Sequence, residues 1–192
     1  KLKDKFSKFS GIPPVSLSPA LEKTLRPYQK QGVSWLSFLK ECQLGAMLAD
    51  DMGLGKTLQS ICILEKRSLV VAPISILYNW QREILRFRPE LKVSIFHGAQ
   101  RSFDEDADVI LTSYALLRLE LERLQSYKWA VCVLDEAQHI KNPSSKVAQA
   151  AYQIEAKFRV ALSGTPIENS LEDIWSHFRF LNHGLLGSRS AF

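Results

Sequence analysis

Six short apolar runs punctuate this chain, each bounded by polar or turn residues. They cover residues 45–49, 69–72, 93–96, 109–111, 130–134 and 159–162. Runs of this length with Val and Ile prevailing in three of them read as strands buried on both faces. Between most of them lie stretches of helical period, at 57–66, 76–86, 116–124 and 144–154, with a last one near 171–181. Pro27 suits a first helical turn, and Val33, Leu36 and Leu39 then space like one helix face. Strands alternating with helices predict an α/β fold, a parallel sheet with helices on both faces. Residues 1–24 carry little period, and Pro13, Pro14 and Pro19 read as helix breakers, so this part is expected to be an extended lead-in. The Gly- and Ser-rich tail at 183–192 is expected to begin a linker.

Composition narrows the class without naming an activity. Apolar residues make up 46% and charged residues 23% of 192 residues, enough for a real core and too apolar for disorder. A net charge of +5 permits a polyanionic partner and leaves a merely basic surface equally open. Cys42, Cys62 and Cys132 are odd in number and have no metal-like spacing, which argues against a disulfide framework or a zinc site. His97, His139, His177 and His183 share no ligand spacing either. No apolar stretch is long enough to span a bilayer and no secretory signal is visible, so no membrane partner is expected. The expected setting is cytoplasmic and nucleoid-associated in a prokaryote, nuclear in a eukaryote.

Two local patterns carry chemistry. Asp51-Met52-Gly53-Leu54-Gly55-Lys56-Thr57-Leu58 lies between an apolar run and a helical stretch, the context a phosphate-binding loop requires. Gly53 and Gly55 let the backbone curl so that N–H groups face phosphate oxygens, and the helix that follows aims its positive end at the same point. Lys56 is placed to reach the β- and γ-phosphates of ATP and the Thr57 hydroxyl to hold Mg²⁺. The general pattern has Gly where this chain has Asp50. The second pattern is the run 129–134 leading into Asp135-Glu136-Ala137-Gln138. Carboxylates at the end of a buried strand sit at the rim where open α/β sheets bind ligands. Asp135 is a candidate Mg²⁺ ligand, and Glu136 a candidate for orienting or deprotonating the attacking water. Alone, the first pattern also reads as a glycine-rich turn and the second as a polar strand end. Together each supplies a part the other needs.

From Leu25 to Gly187 the chain resembles the Swi2/Snf2 branch of helicase superfamily 2. Leu25-Arg26-Pro27-Tyr28-Gln29 resembles that family's adenine-recognising element, which implies contacts from Arg26 and a Gln29 amide that reads the adenine edge. The loop matches with Asp51 in place of Glu, and Asp at position 50 is usual in this family. Leu69–Pro73 with Asn79-Trp80 resembles motif Ia, Leu111-Thr112-Ser113-Tyr114 motif Ib, and Asp135–Asn142 motif II, with Gln138 where many relatives carry His. Ser163-Gly164-Thr165-Pro166-Ile167-Glu168-Asn169 resembles motif III, which implies that Ser163, Gly164 and Thr165 couple the site to its surroundings. Leu171–Trp175 and Phe180-Leu181-Asn182 also match the branch.

The resemblance implies a RecA-like lobe over 25–182 that belongs to a double-stranded-DNA-dependent ATPase and translocase. A second RecA-like lobe, whose motifs this chain does not show, would complete the site with arginines, so the chain alone is expected to bind ATP weakly and hydrolyse it very slowly. The expected contacts to the DNA backbone are Ser75, Tyr78, Thr112, Ser113, Lys141 and Asn142, without base reading. Arg82, Arg86, Arg88 and Lys92 form a basic cluster that reads equally as a DNA face or a solvated helix face. Trp80 and Trp175 read as packing residues. Two other functions stay open: a lobe of an RNA-acting helicase of the same superfamily, and a scaffold that binds nucleotide without hydrolysing it.

Overall fold

The computed structural model describes residues 11–49, 51, 53–164, 171–189 and 192. The elements run α1 (Pro19–Thr24), α2 (Pro27–Glu41), β1 (Ala46–Leu48), α3 (Lys56–Ile63), β2 (Ser68–Val71), α4 (Ile74–Phe87), β3 (Val93–Phe96), β4 (Val109–Thr112), α5 (Tyr114–Leu119), α6 (Leu121–Gln125), β5 (Trp129–Leu134), a 3-10 turn (Ala137–Ile140), α7 (Lys146–Tyr152), β6 (Ala156–Leu162) and α8 (Leu171–Leu181). Among the described residues the strands form one six-stranded sheet in the order β1-β6-β5-β2-β4-β3, and every pairing is parallel.

The apolar runs are continuous because both faces of the sheet are covered. Val70, Leu111 and Val133 point into one core with Leu21, Val33, Ile61 and Trp80, and so face α1 to α4. Their neighbours Leu69, Ile110 and Cys132 point into a second core with Leu117, Leu124, Ala151 and Phe180, and so face α5 to α8. Successive strand residues alternate between the two faces, so a strand buried on both must be apolar throughout. Each fully buried Leu, Ile or Val in these layers stabilises the fold by about 1.5–3 kcal/mol.

The sequence expectations fail at four places. Pro19 does not break a helix but begins one: Ser18 Oγ accepts the Leu21 N–H at 3.4 Å, and Pro19 occupies the first turn, where its missing N–H costs nothing. Leu21 and Leu25 then anchor the segment in the core, so the lead-in is not extended over 19–24. The predicted helix 116–124 divides at Glu120, whose φ of −110° and ψ of 26° leave the helical region. Strand β1 starts one residue late, at Ala46, because the Gly45 backbone is already engaged. Asn182 Oδ1 accepts the Gly45 N–H at 2.8 Å, and its Nδ2 donates to the Gly45 oxygen at 3.4 Å. A Cβ on Gly45 would lie 2.4 Å from the Leu181 oxygen, so only glycine admits this approach of α8 to the start of β1. The expected linker segment turns back onto α8, where Trp175 Nε1 donates to the Gly187 oxygen at 3.3 Å and Arg189 pairs with Glu172 at 2.8 Å. No described helix is long and apolar enough to cross a membrane.

Candidate nucleotide site and the groove beside it

Three strand ends build the site. The glycine-rich loop follows β1, Ser163 and Gly164 follow β6, and Asp135 and Glu136 follow β5. Since β1, β6 and β5 are successive neighbours in a parallel sheet, all three leave at one rim, and the loop and the carboxylates stand one strand apart, on the order of 10 Å. Ser163 fills the gap: it is buried, and its N–H donates to the Leu48 oxygen at 3.1 Å. Met52 and Thr165 lie outside the described residues, as do Asp50 and the Pro166–Asn169 part of motif III.

The loop takes its curve from Gly53 at φ 84° and Gly55 at φ 77°, both left-handed. Gly55 caps α3, so Lys56 and Thr57 occupy the first helical turn, whose N–H groups have no partner within the helix. Side chains hold the loop by its carbonyls. Gln29 Nε2 donates to the Leu54 oxygen at 3.1 Å, Tyr28 Oη to the same oxygen at 3.2 Å, and Lys56 Nζ to the Asp51 oxygen at 2.9 Å. The Gln29 Oε1 accepts the Arg26 N–H at 2.9 Å. The amide expected to read adenine is therefore already bonded at both ends, bracing α2 against the loop. Arg26 is exposed at the α2 N-terminus, and half-buried Leu58 packs against the core below.

The acidic half is more tightly determined. Asp135 is only 7% exposed. Trp80 Nε1 donates to its Oδ2 at 2.7 Å, and the Glu136 N–H donates to its Oδ1 at 2.9 Å. Burial pushes the Asp135 carboxyl above the usual range. The bonds from Trp80 and the Glu136 N–H oppose that rise, and the nearby Lys56 charge adds to the opposition, which ties the two halves of the site together electrostatically. Tyr114 Oη donates to the Asp135 backbone oxygen at 2.7 Å. Burial, reinforced by the Asp135 charge, holds the Tyr114 hydroxyl well above its ordinary pKa, so it remains a donor. Glu136 has a left-handed backbone, φ 53° and ψ 57°, a conformation that costs a non-glycine residue about 1–2 kcal/mol and is common where function dictates geometry. That twist turns the chain out of β5 into the 3-10 turn, and Gln138 Nε2 donates to the Glu136 Oε2 at 2.8 Å. From the other side α8 grips the turn: His177 Nε2 donates to the Ala137 oxygen at 3.0 Å, and Ser176 bonds the Ile140 oxygen.

Beside this site, at the ends of β2 and β4, lies an open groove of about 610 Å³. Pro73, Ile74 and Ser75 form one wall and Ser113, Tyr114 and Ala115 the other, with His139, Arg118 and Lys146 at its margins. The expected DNA contacts divide here. Ser75 and Tyr78 are exposed on α4, and half-buried Lys141 and exposed Asn142 follow the 3-10 turn. Thr112 and Ser113 do not fit the expectation. Thr112 is wholly buried and donates to the Phe96 oxygen at 3.0 Å, while Ser113 is buried and caps α5 by accepting the Leu116 N–H. Two cations that the sequence did not single out, Arg118 and Lys146, line the groove. Of the basic cluster, Arg88 turns inward: its Nη1 reaches the Ile61, Cys62 and Leu64 oxygens at 3.1–3.3 Å and closes the C-terminal end of α3. Lys92 pairs with Asp104 at 3.1 Å. The thiols of Cys62 and Cys132 are pushed by burial up to about 11 and about 12, which leaves them inert. No group of three or more metal-ligating side chains occurs among the described residues.

A parallel sheet with a glycine-rich strand-to-helix loop at its edge and an acidic pair across one strand defines a RecA-like lobe of the P-loop class. The chain belongs to the SNF2-related domain family, whose model matches residues 28–192. It is 44% identical over 98% of its length to the ATP-dependent helicase/translocase YwqA of Bacillus subtilis, and 40% identical over 95% to the TATA-binding protein-associated factor MOT1 of Saccharomyces cerevisiae. It spans 22% and 11% of those two proteins. The Sulfolobus solfataricus SWI2/SNF2 ATPase core in complex with dsDNA matches 96% of this chain with a TM-score of 0.84 and 44% identity, the match covering 40% of that core.

Proposed function

We propose that this chain is the ATP-binding lobe of a double-stranded-DNA-dependent ATPase that translocates on duplex DNA and remodels protein–DNA complexes. The observation that carries the reading is the convergence of three strand ends on one rim, with Lys56 close enough to Asp135 to influence its ionisation. The names of the relatives support it: a helicase/translocase, a TATA-binding protein-associated factor and an ATPase core in complex with dsDNA.

The donor set fits a magnesium-bound triphosphate. A hydroxyl and a carboxylate are hard oxygen ligands of the kind that ion takes, and the loop N–H groups and Lys56 suit phosphate oxygens. Thr57 and Asp135 would hold the ion. When bound, it neutralises charge on the phosphates. Lys56 binds the β- and γ-phosphates. Glu136, its carboxylate oriented by Gln138, orients the attacking water at its free carboxylate oxygen and takes a proton from it. Ser163 ties β6 to β1 between the two halves, where Ser163 and Gly164 relay changes at the site. A second RecA-like lobe supplies the arginine that phosphoryl transfer needs, worth about a thousandfold or more in rate, so this lobe alone turns over very slowly. Ser75, Tyr78, Lys141 and Asn142 contact the DNA backbone, and binding depends steeply on salt and little on sequence.

The test is ATP hydrolysis by the full-length protein with duplex DNA, single strands or RNA as activator. Duplex is expected to stimulate most. Preferential stimulation by RNA would transfer the lobe to an RNA-acting helicase, and no hydrolysis with any activator would leave a nucleotide-binding scaffold.

A further inference from the structure

Both walls of the groove are hydrogen-bonded to the same residue. One wall is the start of α4, which exposes Ser75 and Tyr78 and, from its opposite side, sends Trp80 to the Asp135 carboxylate at 2.7 Å. The other is the start of α5, whose first residue, Tyr114, lines the groove and donates to the Asp135 backbone oxygen at 2.7 Å. Trp80 is fully buried and Tyr114 nearly so, a setting in which a hydrogen bond is stronger than in water. His139, three residues beyond the left-handed Glu136, stacks on the Tyr114 ring with centroids 4.5 Å apart and faces the same groove. A helix moves as a stiff body, so a shift at either wall is carried directly to Asp135. The sequence alone reads Trp80 as a packing residue and Tyr114 as part of motif Ib. The geometry assigns them the link between groove and acidic pair.

We propose that Trp80 and Tyr114 are positioning residues through which a duplex seated in the groove sets the placement of Asp135 and Glu136. The proposal rests on the DNA reading above and deepens it: the DNA backbone touches α4 and α5, and the acidic pair responds because each helix holds one end of Asp135. Neither residue touches substrate. Each acts through Asp135, and the Glu136 N–H on Oδ1 passes the displacement one residue further.

The primary readout needs neither nucleotide nor metal. Amide hydrogen exchange across residues 133–140 of the full chain is measured with and without a saturating mixed-sequence duplex, whose binding is followed separately by fluorescence anisotropy. The wild type is expected to show a several-fold change in exchange at the Glu136 amide and its neighbours. Tyr114→Phe removes one hydroxyl and keeps the ring stack. It is expected to bind duplex within about twofold of wild type while losing most of that change, and its ratio of DNA-stimulated to unstimulated ATP hydrolysis falls about fivefold or more. Trp80→Phe is expected to do the same, and if it does not fold, Tyr114→Phe carries the test alone. A purely packing role would lower Tm and leave the duplex-induced difference intact. Undiminished exchange changes in Tyr114→Phe overturn the proposal, as does wild-type protein that binds duplex with no change at 133–140. Failure to bind duplex at all is read in the anisotropy and overturns the DNA reading together with this inference.

Discussion

The two halves of the candidate nucleotide site are held in opposite ways. Asp135 is fixed at three atoms: Trp80 on one carboxylate oxygen, the Glu136 N–H on the other and Tyr114 on the backbone oxygen. In the loop Asp51 and Gly53 are exposed, and the side-chain bonds that shape it fall on the Leu54 and Asp51 carbonyls. Anchoring by carbonyls suits a loop whose N–H groups are to meet phosphate. The acidic half is thus held in place without a nucleotide, whereas the loop half is a curve of backbone whose donors suit a phosphate. Preorganised charge belongs where the chemistry occurs, and an adaptable cradle suffices where binding occurs.

The contrast is broken most directly at Glu136. Glu136→Gln in the full-length protein keeps the shape of the pair and removes the carboxylate proposed as base. Turnover is expected to fall by about a hundredfold or more, with ATP affinity within a few-fold of wild type. Parallel measurement of kcat and nucleotide Kd decides it: unchanged turnover assigns the base role elsewhere, and lost affinity would mean the acidic half also does the binding.

The loop half leans on α3, and α3 on Arg88. Replacing Arg88 with Met frees the three carbonyls at the helix end, and charged hydrogen bonds of this kind contribute about 1.5–3 kcal/mol. Loss of about 2 kcal/mol lowers Tm by about 4–8 °C in a chain of this size. The salt dependence of DNA binding should not move, because this guanidinium contacts protein, not phosphate. A shallower salt slope with unchanged Tm would return Arg88 to the DNA face.

Within the loop, two glycines separate conformation from crowding. Both need left-handed backbone, which costs alanine about 1–2 kcal/mol. A Cβ at Gly53 meets nothing within 4 Å, whereas at Gly55 it would lie 2.3 Å from Gln29 Nε2. Gly55→Ala is therefore expected to weaken ATP binding about tenfold or more, and Gly53→Ala about fivefold. Equal losses in a nucleotide titration would mean that Gln29 yields freely and does not brace the loop.

The sequence made the covering of the sheet legible because a strand buried on both faces admits only apolar residues. It also exposed the loop and the acidic pair, since both are contiguous and bounded by strand and helix signals. What it concealed lies in pairings between distant residues. Trp80 spaces like any core residue of an amphipathic helix, and nothing in that spacing says that a carboxylate 55 residues away accepts its N–H. The hydroxyls of Thr112 and Ser113 resemble DNA contacts in a list of residue types, but the backbone of the neighbouring strand β3 takes the first and the start of α5 takes the second. Arg88 reads as one of four surface cations until the end of α3 is seen beneath it. Pro19 misled for a simpler reason: proline ends a helix from within and begins one at its first turn, and only Ser18 and the buried Leu21 tell the cases apart.

The smallest effect tests how firmly α8 holds the turn after the acidic pair. His177 is buried, and burial lowers its pKa from 6.5. The Ala137 carbonyl and Asp173 pull the other way without prevailing, so the folded ring is neutral and its Nε2–H bonds the Ala137 oxygen. A histidine whose folded pKa is depressed contributes stability that is fully present above its unfolded value of about 6.5 and is lost as pH falls through the lower folded value. Acidification below pH 6.5 should therefore lower Tm, by less than the loss of Arg88 does. His177→Gln keeps a donor for the Ala137 carbonyl and cannot titrate, so this part of the pH dependence should vanish even if the variant starts from a lower Tm. An identical acid slope in both proteins would place the sensitivity outside the α8 contact and leave the turn held by Ser176 and the left-handed Glu136.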